Sequence, residues 1–149
     1  MPVSEICNRE VVIVYPETTV HEAAKLMRQH HVGDVVVVEE REGVKMPVGI
    51  VTDRDLVVEI MAPDIVQMVI TVGDIMGEKL VTVKGSTGIY ESIQYMRSEG
   101  VRRLPVVNNK GGLLGILTLD DLLELISEEM LSLSGLVRYE QKREMARRI

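Results

Sequence analysis

The chain repeats one unit twice, and this repetition constrains its fold more than any other feature. Residues 80–83 match residues 11–14 when the second half is shifted by 69 positions, and the shift drops to 66 where residues 115–118 match residues 49–52. The extra residues of the first copy lie within 39–46, a charged stretch with a glycine, where a hairpin loop tolerates an insertion. We therefore interpret the periodicity as a structural repeat.

Each copy predicts strands and helices in the order βαββα. Short β-branched runs predict strands, apolar residues spaced i, i+3, i+4 and i+7 predict a helix, and Asn and Gly mark the hairpin turns. The four consecutive valines at 35–38 predict a strand that is buried on both faces. The predicted strands are 11–14, 35–38, 48–51, 80–83, 104–107 and 113–117, the predicted helices are 19–30 and 88–98 with second helices from Thr52 and Thr118, and the predicted turns are 39–43 and 108–112.

One copy alone buries too little surface to be stable, so we expect the two copies to pack through their sheets. The predicted repeats are residues 1–68 and 69–130, and Pro63 marks a break in the segment that links them. Residues 131–149 are predicted to form a C-terminal helical tail, with an interruption at Gly135. This tail either packs on a partner or is a frayed, solvated end.

Composition excludes several classes of function. Phe and Trp are absent, so a base-stacking surface would have only four Tyr to use. The net charge of -6 disfavours general nucleic-acid binding, and basic residues cluster only within 138–148. Cys7 is the only cysteine, which excludes an internal disulfide and multi-thiolate metal sites. No signal peptide is recognised and no apolar run approaches the ~20 residues of a membrane helix, so we expect a cytoplasmic protein with no membrane partner.

Catalytic groups are scarce in this sequence. The three histidines are His21, His30 and His31, and no further ligands accompany them at metal-binding spacing. The sequence has no nucleophile elbow, no phosphate-binding P-loop and no Gly-x-Gly-x-x-Gly turn. We therefore predict that the chain is not an enzyme, that it has no metal site and that it requires no cofactor.

The most distinctive local pattern is Gly-x-x-Thr-x-x-Asp, which occurs at residues 49–55 and again at 115–121. In one interpretation each Thr caps a helix and each Asp completes a capping box, worth about 1 kcal/mol. In the other, the strand-to-helix junction presents N–H groups to a phosphate, and the Asp accepts hydrogen bonds from both hydroxyls of a ribose. Because the pattern recurs at the same structural position, we favour the ligand-binding interpretation.

Longer motifs in a fixed order point to a known family. They are residues 47–56 (PVGIVTDRDL), 101–107 (VRRLPVV) and 115–123 (GILTLDDLL). Over residues 4–128 the chain resembles a cystathionine-β-synthase (CBS) domain pair, often called a Bateman module. The resemblance implies an α+β fold, in which two tandem βαββα repeats pack through their sheets with pseudo-two-fold symmetry, here followed by the C-terminal helix.

The resemblance also implies two pseudo-symmetric clefts that bind adenine nucleotides or related adenosyl ligands. Asp55 and Asp121 would hold ribose hydroxyls, with Thr52 and Thr118 near the phosphate or the sugar. Arg103 falls on the family's phosphate-binding basic position. The further residues implied at the site are Arg102, beside that cation, and the base-pocket residues Val14, Val36, Thr82 and Val106, which would contribute mainly backbone and aliphatic contacts.

The two copies differ at the predicted cation. Where the second copy has Arg-Arg at 102–103, the first has Gly-Asp at 33–34, and Arg54 partly compensates where the second copy has an Asp. We expect the cleft with Asp121 and Arg103 to be occupied more readily. The alternative for Arg103 is a surface ion pair with a carboxylate, which would contribute little to stability.

These inferences predict a non-catalytic regulatory module. It would bind an adenine nucleotide (AMP, ADP or ATP) as a regulatory ligand, with S-adenosylmethionine or NAD as further candidates, and would act as a homodimer that signals to an unidentified effector protein. The alternative is a structural or protein-interaction module whose clefts are empty or vestigial. An enzyme acting on nucleotides and a nucleic-acid-binding role are weaker hypotheses, since the first lacks a catalytic cluster and the second rests only on the basic tail.

Overall fold

The computed structural model describes residues 1–148, which divide into a unit of Met1–Leu117 and a second unit that begins at Thr118. The first copy contains β1 (Ile13–Val14), α1 (Val20–His30), β2 (Asp34–Arg41), β3 (Val44–Thr52) and α2 (Asp53–Leu56), which continues as a π-helical turn (Val57–Met61). The second copy contains α3 (Val72–Ile75), β4 (Val83–Lys84), α4 (Ile89–Glu99), β5 (Arg103–Val107), β6 (Leu113–Thr118) and α5 (Leu119–Arg147).

The two copies build sheets of the same topology. One sheet has the order β1-β2-β3 and the other has the order β4-β5-β6. Val14 pairs with Val37 in a parallel ladder, and Val83 pairs with Val106 in another, so the same ladder recurs 69 positions later. The α+β fold of two tandem βαββα repeats is confirmed.

The valine run at the centre of the first sheet is buried on both faces, as predicted. All four side chains of 35–38 are 0% exposed. Val35 and Val37 belong to the core cluster that contains residues of α1, whereas Val36 and Val38 cluster with Ile116 of β6. Because β6 belongs to the second sheet, the packing of the two repeats through their sheets is confirmed within the first unit.

The segments that precede the two sheets, residues 3–8 and 72–77, are exchanged between the repeats. The amide of Val3 donates to the carbonyl of Thr87 at 2.8 Å, and the amide of Val72 donates to the carbonyl of Thr18 at 2.8 Å. Both members of the second pair differ by 69 positions from their counterparts in the first. The first residues of each repeat thus form hydrogen bonds with the other repeat, and these hydrogen bonds are related by the pseudo-two-fold symmetry.

The three-residue insertion lengthens a hairpin instead of a loop. Residues 39–46, which the sequence predicts as a loop, pair as part of β2 and β3 out to Arg41 opposite Val44. Only Glu42 and Gly43 form the turn, both with positive φ (53° and 77°). This conformation gives a turn whose twist matches that of the flanking strands, and so the strands continue to its edge.

Three other elements differ from prediction. The strands β1 and β4 have two residues each, where four were predicted, because only two residues of each pair with the central strand of the sheet. The predicted interruption at Gly135 is wrong, since α5 continues through it. A helical glycine costs about 1 kcal/mol relative to alanine, and the surrounding Leu, Met and Glu residues favour the helix enough to offset this.

None of the helices in residues 1–148 has the length and hydropathy needed to cross a membrane.

Candidate functional site

Both predicted threonine caps are present in the structure. Thr52 Oγ1 accepts a hydrogen bond from the amide of Asp55 at 3.2 Å, and Asp55 Oδ2 accepts one from the amide of Thr52 at 2.8 Å. Thr118 and Asp121 repeat this arrangement at 3.1 and 3.3 Å. In each pair the half-buried carboxylate is held by Oδ2, and Oδ1 accepts no hydrogen bond from residues 1–148. Each repeat therefore presents one oriented carboxylate oxygen.

A third capping box shows that this geometry alone does not identify a ligand site. The amide of Thr71 donates to Asp74 Oδ2 at 2.9 Å at the start of α3, which has only four residues. No glycine stands three residues before Thr71, where the other two motifs have Gly49 and Gly115. Asp74 is therefore a structural counterpart of Asp55 and Asp121 without the rest of their motif.

The glycines of the two motifs have a packing role that sequence reasoning did not assign. A Cβ at Gly115 would lie 2.6 Å from the carbonyl oxygen of Asn8, and a Cβ at Gly49 would lie 2.5 Å from Met76 Sδ. Asn8 and Met76 belong to the exchanged segments. Glycine at these positions therefore lets the segment of one repeat approach the sheet of the other.

Arg103 forms an ion pair across the two repeats. Its Nε donates to Asp34 Oδ2 at 2.8 Å, and the side chains are 35% and 18% exposed, respectively. Asp34 begins β2 and Arg103 begins β5, and they are equivalent positions under the shift of 69. The ion pair considered as the alternative for Arg103 is thus present, although it is partly buried and joins the two halves of the fold.

A second carboxylate stands beside this pair. The amide of Asp53 donates to the carbonyl of Gly33 at 2.9 Å, and a Cβ at Gly33 would lie 3.2 Å from Asp53 Oδ2 and 3.7 Å from Arg103 Nη2. Burial and, to a smaller extent, the charge of Asp53 raise the pKa of Asp34, and together they outweigh the Arg103 guanidinium, which lowers it. We call Asp34, Asp53 and Arg103 the acidic cluster, because two carboxylates lie near one cation, which is paired with Asp34.

Sequence reasoning named Arg103 but missed the two carboxylates of the acidic cluster. The available signal was the repeat alignment, in which Asp34 stands where the other copy has Arg103. Residues at equivalent positions next to a pseudo-two-fold axis lie close to each other. Opposite charges at such positions therefore predict a pair.

The remaining predicted residues are divided between surface and core. Arg54 and Arg102 are exposed and form no ion pair within residues 1–148, and Thr82 is half-buried. Val14 packs in the cluster with α1, and Val36 and Val106 are 0% exposed. These three valine side chains offer no free surface in this structure, so their contact with a ligand stays a prediction.

Two grooves occupy equivalent places in the repeats, at the carboxyl ends of the parallel strands. One measures about 770 Å³ and the other about 590 Å³. Neither groove is lined by a predicted site residue or by any Lys or Arg, so neither is suited to a polyphosphate. Within residues 1–148, no three His, Cys, Asp or Glu side chains are placed to hold a metal ion. The residues that line both grooves at positions related by 69 are 16, 17, 38, 39 and 40 with 85, 86, 107, 108 and 109.

Comparison with known proteins agrees with this architecture. The sequence profile of the CBS domain matches residues 3–62 and 72–128, and each match begins at an exchanged segment. The chain belongs to the CBS-domain family. An uncharacterized protein of Methanopyrus kandleri is 36% identical to it over 135 residues, which cover 86% of this chain and 67% of that protein.

Solved CBS-pair structures superpose on most of the chain. An uncharacterized conserved protein from Pyrococcus horikoshii has a TM-score of 0.72 and 30% identity, covering 83% of this chain and 90% of that chain. The CBS domain pair of protein MJ0100, in complex with 5′-methylthioadenosine and S-adenosyl-L-methionine, has a TM-score of 0.73 and 22% identity, covering 87% of this chain and 98% of that chain. These similarities confirm the fold as that of a CBS pair.

Proposed function

We propose that this CBS pair is a non-catalytic regulatory module that binds an adenosyl ligand and passes the signal to another protein. The observation that carries the proposal is the duplicated Thr–Asp arrangement at Thr52–Asp55 and Thr118–Asp121. It fixes a carboxylate at the same place in both repeats of a fold whose members include a pair crystallised with adenosyl compounds.

The carboxylates have the chemistry that a ribose requires. A vicinal diol offers two O–H donors, and an ionised carboxylate accepts through both oxygens. Because the capping box uses only Oδ2 of Asp55 and of Asp121, Oδ1 is left for a hydroxyl. The cap also restricts the side chain to one orientation before a ligand arrives, which lowers the entropy lost on binding.

The acidic cluster favours adenosyl ligands that carry few phosphates. Asp34, Asp53 and Arg103 sum to a charge of about -1 when ionised, and the guanidinium is already paired with Asp34. A polyphosphate near this cluster would meet two carboxylates and would have to displace one of them from the cation. We therefore propose 5′-methylthioadenosine, S-adenosylmethionine or AMP ahead of ATP.

The ion pair between Asp34 and Arg103 provides a route from ligand to signal. It joins the starts of β2 and β5, one from each repeat. A ligand that engages either side chain changes the contact between the repeats, by no more than its difference in affinity for the two arrangements. The altered surface of the module would then bind a partner protein, or a second copy of the module, with a different affinity.

Isothermal titration of the full chain tests the proposal. The panel contains 5′-methylthioadenosine, S-adenosylmethionine, AMP, ADP, ATP and NAD, with GMP as a control for the base. We expect saturable binding of at least one adenosyl compound and none of GMP. Failure of every adenosyl compound to bind would contradict the proposal.

One observation favours the alternative of an interaction module with unoccupied clefts. Arg103, the cation predicted to bind phosphate, already has a carboxylate partner within the protein. If the titrations show no binding and an Arg103→Ala variant loses stability, the ion pair is purely structural. The module would then act through its surfaces alone.

A further inference from the structure

The last helix carries an apolar seam that is exposed within residues 1–148. Leu123, Ile126, Met130, Leu133 and Val137 recur at alternating intervals of three and four residues along α5, and each is between 44% and 65% exposed. This spacing keeps the residues on one face of a helix and is the pattern by which two helices pack along a seam. We call these five residues the α5 seam.

The charges of α5 are separated along its length. Residues 119–132 contain five carboxylates and no basic residue, whereas residues 138–148 contain five basic residues and two carboxylates. The acidic set is Asp120, Asp121, Glu124, Glu128 and Glu129; the basic set is Arg138, Lys142, Arg143, Arg147 and Arg148. The helix is thus negative in its first half and positive near its end.

We propose that the α5 seam is covered by α5 of a second copy of this chain, with the two helices antiparallel. An antiparallel pair sets the acidic half of each helix beside the basic part of the other. A parallel pair would instead set five carboxylates beside five carboxylates, which is unfavourable. An apolar seam flanked by self-complementary charge is the usual basis on which helices select partner and orientation.

One alignment satisfies both the seam and the charges. Placing Met130 beside Leu133 of the second copy also places Ile126 beside Val137, so apolar side chains meet at four successive levels. In the same alignment residues 120–129 lie alongside residues 134–143 of the second copy. Arg138, Lys142 and Arg143 are then close to the acidic set.

The mass of the full chain in solution tests the pairing. Leu133→Glu puts a charge on the seam, whereas Leu131→Glu puts the same charge outside the seam, at a position that is 69% exposed. Both sites are exposed, so both variants should retain the fold, which circular dichroism verifies. We expect light scattering to show that Leu133→Glu halves the mass of the wild-type assembly, which is a multiple of 16.7 kDa, and that Leu131→Glu leaves it unchanged.

A spin label at position 145 tests the orientation. In Met145→Cys the labels of an antiparallel pair are separated by about 27 residues along the helix, or ~40 Å at 1.5 Å per residue. In a parallel pair they lie side by side, ~10 Å apart. Cys7 is buried, and labelling of the wild-type chain controls for its reaction.

Several results would overturn the inference. They are a monomeric wild-type chain, an equal loss of mass in Leu131→Glu and Leu133→Glu, no loss in Leu133→Glu, and a short label distance at position 145. A wild-type monomer that binds an unrelated amphipathic helix would assign the α5 seam to another protein instead. None of these measurements depends on the adenosyl ligand, so they fail or succeed separately from the proposed function.

Discussion

Asp34 and Arg103 occupy the same position in the two CBS repeats, and their side chains form an ion pair at 2.8 Å. Two aspartates or two arginines at this position would instead place like charges close together near the pseudo-two-fold axis. The opposite charges therefore make the two copies dependent on each other at one point. The pair also engages the cation that the family resemblance assigns to phosphate, and this double role leads to the first two predictions.

Removing the carboxylate should change which ligands bind. In Asp34→Asn, Arg103 loses its charged partner and becomes available to a phosphate. We expect the affinity for ATP relative to 5′-methylthioadenosine to rise about tenfold, equivalent to about 1.4 kcal/mol. Titration of both ligands measures this ratio. Glu39→Gln, which breaks the exposed pair of Glu39 with Arg41, is the control, and an unchanged ratio in Asp34→Asn would show that Arg103 does not contact phosphate.

Asp34 should also give stability a specific dependence on pH. Burial, with a smaller contribution from the charge of Asp53, raises the pKa of Asp34 in the folded protein despite the opposing effect of Arg103. The folded state therefore binds this proton more tightly than the unfolded state, so the stabilising contribution of protonation is complete below the ordinary Asp pKa of about 3.9 and is lost as pH rises through the raised value. Urea unfolding from about pH 4 to 7 should show wild type losing stability relative to Asp34→Asn as pH increases. A constant difference would contradict the raised pKa.

Local patterns in the sequence predict the elements that depend on neighbouring residues. Threonine followed by Asp three residues later predicts the caps at Thr52 and Thr118, because both partners lie within one helical turn. The valine run at 35–38 predicts a doubly buried strand because its side chains alternate between two apolar faces. In both cases the residues that form the element are also the residues whose pattern predicts it.

Features that join distant segments could not be predicted in this way. The exchange that brings Val3 to Thr87 depends on how the two repeats dock, and no periodicity within 3–8 encodes it. The pair of Asp34 with Arg103 likewise needs the pseudo-two-fold axis, although the alignment of repeats holds the clue. The extended hairpin at 39–46 was missed because charged residues are compatible with the exposed end of a hairpin as well as with a loop.

The loss of stability when a motif glycine is replaced by alanine should depend on how easily the atoms near the new Cβ can move. Gly115→Ala forces a Cβ against the backbone oxygen of Asn8, and such overpacking costs about 1–3 kcal/mol. Gly49→Ala should cost less, since Met76 is a flexible side chain that can move. Gly77→Ala, with no atom near its Cβ, is the control. Denaturant unfolding measures all three, and an equal effect at Gly115 and Gly77 would contradict the close approach.

The first helix ends with a strained residue that its repeat avoids. His31 at the end of α1 has φ 55°, and the equivalent Gly100 at the end of α4 has φ 68°. A side chain in this left-handed region costs roughly 1–2 kcal/mol, partly offset by the greater backbone entropy that glycine loses on folding. We expect His31→Gly to raise the free energy of unfolding by about 0.5–1 kcal/mol. Gly100→His should lower it, and a loss of stability in His31→Gly would refute the argument.

The most direct test of ligand binding is thermal melting of Asp55→Asn, Asp121→Asn and Asp74→Asn beside wild type, with and without an adenosyl ligand. All three substitutions remove a capping carboxylate, worth about 1 kcal/mol, so all three should melt somewhat earlier than wild type without ligand. A ligand at 100 times its dissociation constant adds about 2.7 kcal/mol to the stability of the form that binds it. We predict that wild type and Asp74→Asn keep this ligand-induced shift and that Asp55→Asn or Asp121→Asn loses it. An equal shift in all four proteins, or no shift in any of them, would show that these carboxylates serve only as helix caps.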